Sequence, residues 1–395
     1  MSLSVAIAET PVAAAQAHGN ALARFEAHTT AWPALRAWRE IESFSTGSAY
    51  QERGFVLPWF EFMAPTVCAK PIFVIGYDAQ NRPAAFLALS VEKRGPFRLA
   101  MFAGGKHSNL NLPLLRPGVD LTTEDARAML AAAGASDARP DVFVLLNQPR
   151  LWNGVENAFA ALASRGSPSA AYGATIGADA EAFLKRVDSK DTRKKLKSKA
   201  AKLATLGPVT FERAQDIERA RTILAAFVEQ KTLRFAQKHK DPGFSGVAVR
   251  GFLDALATGH GGGAPAMDLY ALCVGDRVVA TYGGLPRGRG WHGLVNSFNP
   301  APEIARSSPA ELLLRHVIRD LSSRGIERFD LGVGESRYKS AITTETIDLV
   351  DFVAPITARG RVGAELERMR LAVKRWVKHR PWALSLVEQM RIGPV

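Results

Sequence analysis

Cysteine is nearly absent from this sequence. Cys68 and Cys273 lie far apart and no C-x-x-C occurs. Neither a zinc site nor a disulfide framework follows from them, and such usage fits a reducing compartment. The histidines show no H-x-x-H or H-E-x-x-H spacing, so no metal is expected. No run of about 18 apolar residues occurs, which argues against a spanning helix. The opening MSLSVAIAETPVAAAQAHG lacks a basic n-region and breaks at Glu9 and Pro11, so no signal peptide is expected. The expected location is the cytoplasm. Nucleotide and nucleophile motifs are missing as well. Gly288-Arg-Gly290-Trp-His-Gly293 matches G-x-G-x-x-G but bridges two hairpin strands, where a dinucleotide fingerprint needs strand then helix. His260-Gly-Gly-Gly263 has no G-x-S-x-G elbow to serve. Gly104-Gly-Lys106 lacks the upstream glycine of a P-loop.

What is present describes a globular protein. Hydrophobic residues make up 47% of 395, enough for two cores rather than one. The net charge of +13 is concentrated. Residues 185–202 hold nine Lys/Arg against two Asp/Glu, and residues 361–395 hold eight against three. The body between them is near neutral. Two basic stretches on a neutral body suit a polyanionic partner: nucleic acid, membrane headgroups or an anionic cofactor.

The pattern of elements repeats. Residues 1–20 read as a flexible tail. The first half then gives helices at 31–43 and 50–63, a meander at 71–77, 83–92 and 97–104, and a capped helix at 121–134. A strand at 141–148, a helix at 151–166 and a last strand at 170–177 follow. A long basic helix, 179–206, links the halves. The second half gives a strand at 207–213 and helices at 215–236 and 247–258. Its meander at 267–275, 276–286 and 290–298 leads to a helix at 308–324 and strands at 326–333 and 346–354. A basic helix runs from 361 to Pro381, where proline must interrupt it. Meander matches meander at an offset of roughly 197 residues. The expected boundaries are 21–178, 179–206, 207–360 and 361–395.

The densest signal is WHGLVNSFNPAPEIARSSPAELLLRHVIRDLSSRGIERFDLGVGESRYK, from Trp291 to Lys339. It reads as strand, loop, helix, strand and Gly-rich turn. A helix opening just past a strand end can hold an anion on its free N–H groups. Ser308-Pro309-Ala310-Glu311 also reads as a capping box with Pro at the first helical position. Leu366, Met369, Val373, Trp376 and Val377 share one face of the last helix, with Arg368, Lys374, Arg375 and Lys378 around it. That helix either packs on the body or lies on an anionic membrane, and packing is the expected choice.

This order, together with CVGDRVVATYGG (273–284), SSPAELLL (307–314) and GIERFDLGVGESRYK (325–339), resembles the GNAT acyltransferase fold. More narrowly, the chain resembles the tandem-GNAT family of BioF2-like or CelD-type acetyltransferases, relatives of the Fem aminoacyl transferases. The resemblance implies an α/β (α+β) fold of two GNAT-like units, each a mixed, mostly antiparallel sheet flanked by helices. It implies transfer of an acyl group from acetyl-CoA or another acyl-CoA to an amine or hydroxyl. The acceptor that the resemblance implies is a small molecule or saccharide, such as a sugar or polysaccharide precursor. In GNAT enzymes the pyrophosphate meets a Q/R-x-x-G-x-G/A motif. Arg306 fits its first position, whereas Pro309 and Glu311 stand where small residues are expected.

Cofactor contacts are therefore expected at Arg306, Ser307, Ser308, Ala310 and Leu312. Tyr338 is the expected general acid for the thiolate. Asp330 and Glu335 are the carboxylates that can serve as base. Gly334, Arg337 and Lys339 are expected on the substrate side. Two other readings stand beside this one: a Fem-like transferase using aminoacyl-tRNA, and a non-catalytic scaffold binding nucleic acid or membrane through its basic helices. DNA is not an expected partner.

Overall fold

The computed structural model describes residues 22–378 and 380, apart from 46, 164, 237–243 and 245. The tail expected at 1–20 and the helix stop expected at Pro381 lie outside these residues.

The first sheet is built on β1 (Arg24–His28), β2 (Lys70–Tyr77), β3 (Pro83–Arg94), β4 (Phe97–Phe102) and β5 (Val142–Pro149), hydrogen-bonded in that order. Neighbours are antiparallel except β4 and β5, which run parallel. The next long strand in the chain, β6 (Ala171–Thr175), does not join them. It inserts into the second sheet, whose order is β7 (Val209–Arg213), β8 (Asp268–Val274), β9 (Arg277–Arg287), β10 (Gly290–Phe298), β11 (Arg328–Val333), then β6 and Glu345–Ile347. In return β12 (Leu349–Pro355) pairs with β5 of the first sheet. Each half lends a strand to the other, so a cut at 178 or 207 passes through neither sheet cleanly.

Alternation along the strands explains the layers. On β2, Phe73 and Ile75 face the central core, whereas Ile72 and Val74 face an outer core under the helix Thr123–Gly134. On β8, Leu269 and Ala271 face the centre, and Tyr270 and Leu272 face the outside. The central core is shared: Trp38, Tyr50 and Phe55 pack with Phe227 and Phe252 from the other half.

Four helices position the sites: α1 (Lys190–Ala204), α2 (Ile217–Ala236), α3 (Pro309–Ser323) and α4 (Gly360–Lys378). The long helix expected at 179–206 is two helices. Ser189 caps α1 by accepting from the Thr192 N–H, and the chain breaks at Asp188. The helix expected at 151–166 is mostly absent. Asn153 and Gly154, with φ of 50° and 80°, make a two-residue turn that pairs Trp152 with Val155. Asn-Gly favours that mirror-image turn, and it overrides the helical pattern. α4 docks through Gly360, Gly363, Ala364 and Leu371, so Leu366, Met369, Val373 and Trp376 point to solvent. The packing expectation holds for the helix, but not for the face that carries those residues.

Candidate functional site

The site begins where two parallel strands part. β10 and β11 pair only from Gly290–His292 to Arg328–Asp330. A bulge at Gly283–Gly284 bends β9 against β10. Gly293 then passes so close to β11 that a Cβ there would lie 3.0 Å from the Asp330 carbonyl oxygen. Beyond this point the strands diverge and leave a chamber of about 250 Å³. Its walls include Tyr282, Asn296, Tyr338, Lys231, Lys339 and, from the first half, Asn109.

Three of these residues, Tyr282, Asn296 and Tyr338, also line a larger cavity of about 700 Å³ on the α3 side. Asn296 Nδ2 donates to the Tyr338 hydroxyl at 3.0 Å. Burial pushes the Tyr338 phenol up from its usual range, so it keeps its proton at neutral pH. The cavity runs to the start of α3, where Ser308 has φ 45° and makes no side-chain cap. The expected capping box is thus not formed, although Pro309 does open the helix. Glu311 and Leu312 N–H both go to Ser308 O, at 2.9 and 3.3 Å. Pro309 has no N–H. Ala310 is left as the one first-turn amide without a partner among the described residues. Ser307 is fully buried, and its hydroxyl has no partner among them either.

Positive charge reaches this cavity from elsewhere. Lys195 and Lys199 of α1 and Arg234 of α2 line it. Lys199 Nζ donates to Glu311 Oε2 at 3.0 Å, which neutralises the carboxylate beside the helix start. Arg234 lies over the Phe298 ring, 4.8 Å from its centroid.

On the opposite face, His292 and Asp330 line a cavity of about 680 Å³ with Trp152, Arg289 and Arg328. His292 Nδ1 is 2.6 Å from Asp330 Oδ2, and both residues are buried. Asp330 Oδ1 accepts the Gly332 N–H at 3.0 Å, fixing the carboxylate. A carboxylate at Nδ1 holds the imidazole proton there and leaves Nε2 as an acceptor. Nε2 has no hydrogen bond among the described residues. Trp152 stacks on the imidazole at 5.8 Å. The linings are contiguous: 286–292 and 327–330 wall this cavity, and 293–296 with Leu331 and Val333 wall the chamber next to it.

The helix start beside a parted strand pair has counterparts in known proteins. Residues 190–340 match the family described as an acetyltransferase (GNAT) domain. The crystal structure of FemX aligns over 83% of this chain and 97% of its own, with a TM-score of 0.55 and 12% identity. The match to the GNAT acetyltransferase domain falls in the second half of the chain, over the helix start and the parted strands. A conserved protein of unknown function from Bacteroides thetaiotaomicron aligns over 82% of this chain and 97% of its own, with a TM-score of 0.50 and 13% identity. At these identities the likeness is one of fold. No curated protein matches the sequence. The fold is mixed α/β with GNAT-like sheets in tandem.

Within this GNAT frame the expected residues scatter. Ser308, Ala310 and Tyr338 line the larger cavity, and Lys339 lines the chamber. Arg306 is exposed and absent from the cavity wall, and Leu312 belongs to the outer core. Lys339 Nζ donates to Gly332 O and Val333 O, both at 3.1 Å, and burial pushes it down to about 8. Gly334, with φ 97°, donates its N–H to Ala170 O of the strand-exchange segment. Arg337 opens the short helix Arg337–Ser340, and its side chain is outside the described set. Glu335 is exposed and faces Lys378 at 3.8 Å rather than the chamber. His292, Asn296, Lys231, Lys195 and Lys199 were not singled out in the sequence. His292 and Asn296 sit at even spacing in a strand that reads as core, and only the partner strand brings Asp330 to His292.

Proposed function

We propose that this protein is an acyltransferase taking an acyl group from acyl-CoA, bound between α1 and α3, to an acceptor on the opposite face of the second sheet. The observation that supports this most is the meeting of two cavities in one chamber, with Tyr338 and Asn296 at the junction. The donor side fits a phosphate-bearing group through lysines more than through amides. Lys195, Lys199 and the Ala310 N–H are the groups that would hold it, whereas the Ser307 hydroxyl is buried behind the cavity wall. Acyl-CoA brings an activated thioester. Asn296 occupies one lone pair of the Tyr338 oxygen, which leaves the phenol proton free for the departing sulfur.

His292, held by Asp330, takes the proton from the acceptor. Asp330 then acts as a positioning residue rather than as the base itself. The arginines of this cavity are paired, Arg287 with Glu52, Arg289 with Glu327 and Arg328 with Glu345, and such a mixed polar lining suits a hydroxyl-bearing acceptor such as a sugar or polysaccharide precursor. Among the described residues no helix is long and apolar enough to cross a membrane. The solvent-facing apolar stripe of α4, bordered by Arg361, Arg370 and Lys374, suits the surface of an anionic membrane.

The test is calorimetric binding of acetyl-CoA. Lys195→Ala/Lys199→Ala is expected to weaken it roughly tenfold or more, about 1.4 kcal/mol. The Fem-like reading has its own support, since Lys194, Lys197 and Lys202 extend the basic face beyond the cavity as exposed side chains. Failure of acetyl-CoA to bind, with tRNA binding that falls steeply with salt, would transfer the donor site to aminoacyl-tRNA. Failure of both would leave a non-catalytic scaffold.

A further inference from the structure

The first sheet contains the same parting of strands. β4 and β5 pair only at Leu99–Val142 and Ala100–Phe143, then diverge. The gap is a cavity of about 420 Å³. Its wall is apolar along Trp59, Met63, Phe102, Val144 and Leu146, and polar at Thr66, His107, Asn111 and Asn147. Its rim is cationic, with Arg94 and Lys106 from the first half and Arg370 and Lys374 from α4. α4 arrives here because β12 has crossed into the first sheet immediately before it. It is held close: a Cβ at Gly363 would lie 3.0 Å from the Phe97 ring.

The carboxylates nearby do not neutralise this rim. Glu92 sits 3.9 Å from Arg94. Glu367 takes Arg94 at 3.5 Å and Arg370 at 2.6 Å. Lys106 and Lys374 make no ion pair within 4.0 Å among the described residues, and the Asp351 carboxylate feels Lys374 only at longer range. A pair of unmatched cations at the mouth of an apolar slot is costly to fill with a bare ion and with a neutral oil alike. The matching ligand has a charged head for the rim and an apolar body for the slot. A second feature agrees. The rim residues of α4 border its exposed stripe of Val362, Leu366, Met369, Val373 and Trp376, spaced by four and three residues, so the mouth opens beside apolar surface.

We propose that this wedge in the first half is a second binding site, and that its ligand is an amphipathic anion, a carboxylate or phosphate on an apolar chain. The site is separate from the donor cavity and does not rest on the acyl-CoA reading. Lys106 and Lys374 meet the head, and the chain lies along Trp59 between the parted strands.

Trp59 in the wall makes the test optical. Decanoate, kept below its micellar concentration, is titrated into the full-length protein while tryptophan emission is followed. The expected result is saturable binding, with the signal lost in Trp59→Phe. Lys106→Ala/Lys374→Ala should weaken binding tenfold or more, with an unchanged thermal midpoint showing an intact fold. Val144→Trp, which fills the slot, should abolish it. Decanol and inorganic phosphate each supply half of the ligand and should bind at least tenfold more weakly. The proposal is overturned if decanol or phosphate matches decanoate, or if the double lysine variant binds decanoate as the wild type does.

Discussion

Replacing Asp188 by alanine tests how the basic helix is held over the donor cavity. Asp188 lies in the break before α1, and its carboxylate receives Arg315 Nε at 2.8 Å and Nη2 at 2.6 Å. The two side chains are only 4% and 10% exposed. The Asp188 carbonyl also accepts Arg193 Nη1 at 2.6 Å, so one residue bridges α1 and α3. Without the carboxylate, the Arg315 guanidinium keeps only its bond to Glu311 O, at 2.9 Å. Stranding a charge in this way costs about 3–5 kcal/mol. Asp188→Ala is therefore expected to lower unfolding free energy by that amount in urea titrations followed by circular dichroism. Asp188→Ala/Arg315→Met removes both charges and is expected to recover most of the loss, a coupling that a double-mutant cycle isolates. The sign of the ligand effect is a second check. Coulomb's law alone says that deleting a carboxylate near an anion site tightens binding, whereas loss of the tether to α1 weakens it. Weaker acetyl-CoA binding by Asp188→Ala is expected. A destabilisation below about 1 kcal/mol, or a double variant no more stable than Asp188→Ala, would refute the claim that this pair is desolvated and anchors α1.

Tyr338→Phe should keep acetyl-CoA affinity but lower kcat by about 10²–10⁴, as should His292→Gln, measured by thiol release. An unchanged kcat in Tyr338→Phe would remove it as the acid. Gly332→Ala should cost about 1–3 kcal/mol in chemical unfolding. Its φ is 73°, and a Cβ would meet Asn109 Nδ2 at 2.6 Å; Asn109→Ala should relieve part of that loss. Burial pushes Lys231, like Lys339, down to about 8. Unfolded lysine holds its proton to about pH 10.4, so the unfolded state binds more protons between these values. The stability cost is complete below pH 8 and is relieved as pH rises toward 10. Lys231→Met should accordingly flatten the rise in urea midpoint between pH 7.5 and 9.5 relative to the wild type.

Much of the architecture is legible in the sequence because each half announces its meander by turn residues and period-two strands. Gly275–Asp276 and the Asp78–Arg82 turn fall where the chain reverses. The start of α3 is legible too, through Pro309. What escaped depends on partners remote in sequence. Nothing near Arg306 says that it faces solvent, and nothing near Lys199 says that it reaches Glu311 across 112 positions. The His292–Asp330 pair comes from a three-residue parallel register that no local pattern encodes. Leu366, Met369, Val373 and Trp376 have the spacing of a buried stripe. The helix is instead docked by glycine and alanine, whose small size marks close approach without raising hydrophobic periodicity. Asn153–Gly154 was readable as a hairpin, and the helical spacing around it concealed that signal.

The exchange of β6 and β12 bears on how the chain comes to be folded at all. β6 leaves the ribosome while its neighbour β11, which begins roughly 150 residues later, does not yet exist, a delay on the order of ten to thirty seconds at ordinary synthesis rates. Through that interval the nascent first sheet lacks its β12 neighbour and β6 has no sheet to join. The finished protein resembles two hands each closed over the other's thumb. Neither grip is complete until the last strand arrives, and neither half has a self-sufficient structure to hand to a truncation.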